Sequence, residues 1–94
     1  MANYLARVEL HNAKYEDYEK LHEAMSQRGF ARTIVADDRK KYELPTGTYV
    51  AENTSATVEQ AYNAARAAAT ETGRTFWAIV VDWTSARFLL PQVN

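Results

Sequence analysis

The sequence contains no cysteine, which rules out disulfides and thiolate zinc centres. A cysteine-free chain suits a reducing compartment, and a cytoplasmic location is the expectation. Its three glycines stand apart at positions 29, 47 and 73, so no glycine-rich phosphate loop is present. No segment approaches the roughly 20 consecutive apolar residues of a membrane span. The opening stretch MANYLARVEL lacks a signal-peptide pattern. Charge of one sign is missing too: 11 basic side chains face 12 acidic ones, for a net charge of −1. A domain-wide basic surface for nucleic acid is thereby excluded, and any RNA contact has to come from a local patch. Metal-ligand spacing is also absent. His11, His22, Asp37, Asp38, Glu43, Glu52 and Asp82 form no regular motif, and the adjacent Asp37 and Asp38 would point to opposite faces of a strand. Neither a metal nor another cofactor is expected. There are no repeats or linkers, so residues 1–94 read as one domain with a short C-terminal tail from about residue 84.

Two periodicities organise the chain. In NYLARVEL, Tyr4, Ala6, Val8 and Leu10 share one face and Leu5, Arg7 and Glu9 the other, as in a half-buried strand. Tyr15, Tyr18, Leu21, His22 and Met25 then recur at helical spacing, with Glu16, Asp17 and Glu19 near the start and Gly29 as a stop. FARTIVAD alternates again. The DDRK segment supplies turn residues, and KYEL with GTYVAE reads as one return strand interrupted by Pro45 and Gly47. Thr57 with Gln60 forms a capping-box pattern ahead of a helix whose stripe is Val58, Ala61, Tyr62, Ala65 and Ala69, ending at Gly73. TFWAIVVDW is the last strand. The order β-α-β-β-α-β predicts an α+β fold, the ferredoxin-like βαββαβ plait: a four-stranded antiparallel sheet with both helices on one face.

The last strand is apolar on both sides. Phe76, Ala78 and Val80 face one way; Trp77, Ile79, Val81 and Trp83 face the other. An open sheet face normally alternates with polar residues, so a second apolar set marks a surface that gets covered. Three covers are open: the tail segment Arg87–Leu90 folding back, a homodimer through Trp77, Ile79, Val81, Trp83, Phe88 and Leu89, or a ligand or partner groove.

Among polar groups, His22 reads as a hydrogen-bonded core-edge residue and His11 as a loop residue at the end of the first strand. Arg28, Arg32, Arg39, Lys40 and Lys41 cluster in sequence, with Tyr42 and Tyr49 as aromatic neighbours able to stack on unpaired bases. The plain alternative is a solvated hairpin whose charges keep its edge from pairing with another chain.

GFARTIVADD, with NYLARVEL, YEDYEKLHEAM and the LPT and YVA segments, resembles the GhoS endoribonuclease family, the antitoxins of type V toxin–antitoxin systems. The likeness covers roughly the first half of the chain. It implies a ferredoxin-like fold and a cytoplasmic protein that acts on RNA, cleaving the messenger of its toxin. The pattern departs on the first helix: arginines tied to cleavage in that family are replaced here, with Leu21 and Glu23 in that stretch. Metal-independent cleavage needs a base for the 2′-hydroxyl, an acid for the leaving oxygen and a cation for the phosphorane; His11 could be the base or acid and Arg28 or Arg32 the cation. Arg39, Lys40, Lys41 and Tyr42 would then be the RNA contacts. A non-catalytic interaction module of the same fold is the alternative.

Overall fold

The computed structural model describes residues 1–93; of the expected tail, Asn94 lies outside them. The elements are β1 (Ala2–Leu10), α1 (Tyr15–Gln27), β2 (Thr33–Val35), β3 (Lys41–Glu43), β4 (Thr48–Thr54), α2 (Val58–Thr70) and β5 (Phe76–Asp82). The fold is α+β, two helices with antiparallel strands. The strands form a three-stranded sheet in the order β4–β1–β5 and a separate β2–β3 ladder. Among the described residues, a single antiparallel bridge, Ala31 to Val50, joins the two. The expected single return strand is therefore two strands. Pro45 and Gly47 make a tight turn between them, closed by the Thr48 N–H on the Pro45 carbonyl at 2.9 Å. That turn sends β4 to β1 while β3 stays with β2.

The period of two in β1 governs the core. Tyr4, Ala6, Val8 and Leu10 are buried in one cluster with Leu21, Ala24 and Met25 of α1 and with Ala61, Ala65, Ala68 and Ala69 of α2. The alanine stripe lets α2 approach closely; it keeps Ala61, Ala65 and Ala69 of the expected stripe, adds Ala68 and leaves Val58 and Tyr62 outside. Tyr15, too, lies outside the α1 stripe and in solvent.

The helix ends are specified locally. The Thr57 hydroxyl accepts from Gln60 N–H at 3.1 Å, and Gln60 Oε1 accepts from Thr57 N–H at 2.9 Å, the reciprocal pair expected from the sequence. At α1, Asp17 accepts from the Lys14 N–H at 2.8 Å and from Arg74 Nε at 2.8 Å. One buried carboxylate thus ties the start of α1 to the approach to β5. Its pKa lies below the ordinary carboxylate value, foremost through the Lys14 N–H; burial opposes this and Arg74 reinforces it.

Candidate functional site

The sheet face turned away from the helices has two unlike halves. Register places Leu5 between Val50 and Val81, Arg7 between Thr48 and Ile79, and Glu9 beside Trp77. At the first of these rows the face is covered. Ile34, Leu44 and Val50 form a second buried cluster, and Leu5, Tyr42, Trp83 and Leu90 pack against it. The β2–β3 hairpin supplies this cover together with the tail, whose end is fastened to β3 by the Glu43 N–H on the Pro91 carbonyl and the Val93 N–H on the Lys41 carbonyl, both 2.9 Å. The fold-back of the Arg87–Leu90 segment is thus made by Leu90, while Leu89 stands in solvent. Trp83 is part of this cluster rather than of an open surface, and its Nε1–H meets no acceptor among the described residues.

The other half of the face is open. Trp77 is 72% exposed, Ile79 58% and Val81 41%, and among the described residues their strand has no neighbour on its outer side. His11 lies at this end. Its ring meets Trp77 edge-on at 4.9 Å, its Nε2 is 3.3 Å from Glu9 and its Nδ1 is 3.3 Å from the Thr75 hydroxyl. The backbone places it there, since the His11 N–H bonds the Thr75 carbonyl and extends the β1–β5 pairing by one step. Arg7, one row away, reaches the Thr46 carbonyl at 2.8 Å. An exposed indole, an imidazole backed by a carboxylate and an arginine thus share one end of the sheet.

The three residues expected to carry cleavage, His11, Arg28 and Arg32, are not gathered together. Arg28 donates to the Ala24 carbonyl at 3.0 Å and pairs with Glu71. Arg32 lies 3.8 Å from Glu43. Among the described residues, no hydrogen bond, ion pair or ring contact links either arginine to His11. The β2–β3 turn is built as expected: Asp38 accepts from the Lys40 N–H at 2.9 Å and from the Tyr42 hydroxyl at 2.8 Å, with Arg39 at a φ of 66°. Arg39, Lys40 and Lys41 are exposed, and no carboxylate lies in salt-bridge range of them among the described residues. Tyr42 is committed to the fold, tilted against Phe88 at 5.4 Å. Tyr49 is fully buried on the helix side and unavailable for stacking on a base.

A histidine that sequence reasoning left to the core edge has the more elaborate surroundings. His22 Nδ1 lies 2.6 Å from the Tyr49 hydroxyl, and the Tyr18 ring flanks it at 6.4 Å. The Ala31–Val50 bridge puts Arg32 across from Tyr49, on the same side of the strands. The proximity of Tyr49 and His22 had no local signal, because 27 residues separate them. Burial pulls the His22 pKa below 6.5, the Arg32 charge adds to this, and Glu19 partly offsets it. Burial pushes the Tyr49 phenol upward. A histidine depressed in the folded state binds fewer protons there than in the unfolded chain. Its contribution to stability is complete above about pH 6.5 and lost as pH falls through the folded pKa. A urea midpoint lower at about pH 5 than at about pH 7.5 is expected, with a smaller difference in Arg32→Gln. The His22 ring protons, followed by NMR, should titrate with a midpoint under 6.5; a midpoint at or above it contradicts the assignment.

Among the described residues, no group of three histidine, aspartate or glutamate side chains is placed to hold a metal ion, and no helix is long and apolar enough to cross a membrane. Compared with protein-family models, with curated proteins and with solved structures, the chain finds no match.

Proposed function

We propose that this chain is a small RNA-acting protein of the GhoS type that lays a single strand along the open half of its sheet face. The observation that carries this reading is Trp77, an indole 72% exposed on a sheet face with the His11 ring perpendicular to it. Unpaired bases stack on such rings, while Arg7 one row away and the exposed Arg39–Lys41 tip offer cations to phosphates. The order β5–β1–β4, with the Ala31–Val50 bridge leading on to the separate β2–β3 hairpin, supports reading the fold as a variant of the ferredoxin-like plait. For cleavage, the His11 imidazole, oriented by Glu9, takes the 2′-hydroxyl proton as the 2′-oxygen bonds to phosphorus, and the imidazolium returns a proton to the 5′-oxygen as the P–O5′ bond breaks, leaving a 2′,3′-cyclic phosphate; Arg7 is the nearest cation in sheet register. Arg28 and Arg32, each drawn to its own glutamate, serve this step only after changing partners.

Binding of a short labelled single-stranded RNA tests the reading. Trp77→Ala is expected to weaken it about 5- to 150-fold, the worth of one stacked base at about 1–3 kcal/mol, and to leave the unfolding midpoint unchanged because the ring is exposed. Affinity should fall steeply with salt as counterions are released. Cutting should disappear in His11→Ala and Glu9→Gln. RNA binding that is absent, or indifferent to Trp77, refutes the proposal.

The free outer edge of β5, with Trp77, Ile79 and Val81 exposed beside it, favours a second reading: a non-catalytic module that pairs with another copy of itself through this strand. Sedimentation separates the two. Association that persists at high salt and vanishes in Trp77→Ala, without RNA binding, supports the module.

A further inference from the structure

The covered half of the sheet face is not filled to its rim. Between the β2–β3 hairpin and the tail lies a cleft of about 680 Å³, within the size of small-molecule sites, about 300–1,000 Å³. Its apolar walls include Ile34, Trp83 and Leu90, and the tilted Tyr42–Phe88 pair stands at its side. Its polar lining is unequal. Asp37 and Asp38 contribute carboxylates, and Arg87 contributes one guanidinium whose hydrogen bond is a long 3.3 Å contact to the neighbouring Ala86 carbonyl. Asp38 is already engaged by Lys40 and Tyr42, which hold it ionised. Asp37 is exposed and accepts no side-chain hydrogen bond among the described residues. The cleft thus combines aromatic lining with a spare acceptor pair on Asp37 and a single cation on Arg87.

We infer that this cleft is a base pocket selective for guanine, Asp37 accepting the two parallel N–H groups of its Watson–Crick edge while Arg87 meets the adjoining phosphate. Guanine presents N1–H and N2–H side by side, matching the two oxygens of a carboxylate. Adenine, cytosine and uracil offer no two adjacent donors on that edge: each donor has an acceptor beside it, which would face the second carboxylate oxygen unfavourably. The inference rests on the RNA-binding reading and gives it a sequence preference. Trp77 and Trp83 lie on the same side of β5 and its continuation, six residues apart, about 20 Å at strand rise. A single strand stacked on Trp77 therefore reaches the cleft within a footprint of about 4–16 nucleotides, the range for one single-strand-binding domain.

Titration of the whole chain with the 5′-monophosphates of guanosine, inosine, adenosine, cytidine and uridine, followed by amide shifts, tests this. Guanosine monophosphate should bind about 5- to 150-fold more tightly than the adenosine form, the range of one bidentate base contact. Inosine, lacking N2–H, should fall between them, and the shifts should centre on Ile34, Trp83 and Leu90. Asp37→Asn should abolish the preference, and Arg87→Gln should weaken all five nucleotides alike. Equal affinities, shifts centred on Trp77, no binding, or a preference that survives Asp37→Asn each overturns the inference. RNA binding without guanine preference leaves the RNA reading standing; guanine preference without RNA binding removes only that reading.

Discussion

Gly47→Ala should cost about 2–4 kcal/mol and lower the melting temperature by roughly 10–25 °C. Gly47 is the third residue of the Pro45–Thr48 turn, with φ at 85°, a conformation that disfavours any Cβ by about 1–2 kcal/mol. A Cβ there would also lie 2.5 Å from the Val8 carbonyl oxygen and 3.0 Å from Arg7 Nη1. Backbone cannot swing aside as a side chain does. The Val8 N–H bond to the Gly47 carbonyl, now 2.7 Å, would have to lengthen, and with it the entry of β4 into register with β1. A domain of this size is worth only about 5–14 kcal/mol in all, so the loss is a large share. Gly29→Ala and Gly73→Ala are the controls. Both glycines have positive φ, but a Cβ at either meets nothing within 4 Å, so each should cost about 1 kcal/mol. Thermal unfolding of the three variants side by side decides the matter: equal losses would show that close approach to β1 adds nothing to the conformational cost.

Gly47 also illustrates which parts of the fold were legible in the sequence. A glycine after a proline signals a turn wherever it occurs, so the break in the return strand was visible. The turn's consequence was not, because the separation of β3 from β4 depends on which neighbour each strand pairs with, and that is a long-range choice. Elements set by short-range physics were legible: the alternation of β1, the reciprocal cap at Thr57 and Gln60, the Asp38 turn. Burial of Tyr15, Val58 and Tyr62 was misjudged because a helical stripe gives an angle around the helix axis but not where the covering layer stops. The doubly apolar β5 was correctly marked as unusual. Its outward face is divided into a covered and an open half for a reason no local pattern holds: the tail reaches Trp83 with Leu90 but ends its cover before Ile79 and Trp77.

The candidate site divides along the same line. His11 could be placed at a strand end from sequence, yet its company, Glu9 from two residues back and Thr75 and Trp77 from β5, follows from strand register. Arg28 and Arg32 are near each other in sequence, but the end of α1 and the extended segment after Gly29 send them to different glutamates. Sequence adjacency grouped the basic residues; the fold distributes them around its rim.

Tyr49→Ala is expected to cost about 3–5 kcal/mol, the range for removing a large buried ring, and Tyr49→Phe about 1 kcal/mol. Tyr49 is the largest fully buried side chain in the fold. It stands opposite Ala6 in β1, between the helices and the sheet, with its hydroxyl on His22 of α1. Its neighbour Val50 makes the one bridge that ties the hairpin layer to the three-stranded sheet, bonding Ala31 at 2.7 and 2.9 Å. Truncation at position 49 therefore opens a cavity directly beneath that bridge, while the phenylalanine keeps the volume and loses only the bond to His22. Hydrogen exchange distinguishes a local from a global loss. In Tyr49→Ala the amides of Ala31 and Val50 should lose protection beyond the fall in overall stability, because the hairpin detaches before the sheet opens. In Tyr49→Phe they should lose no more than the overall fall. If both amides simply follow global unfolding in the alanine variant, the two layers are one cooperative unit and the single bridge is not the hinge between them.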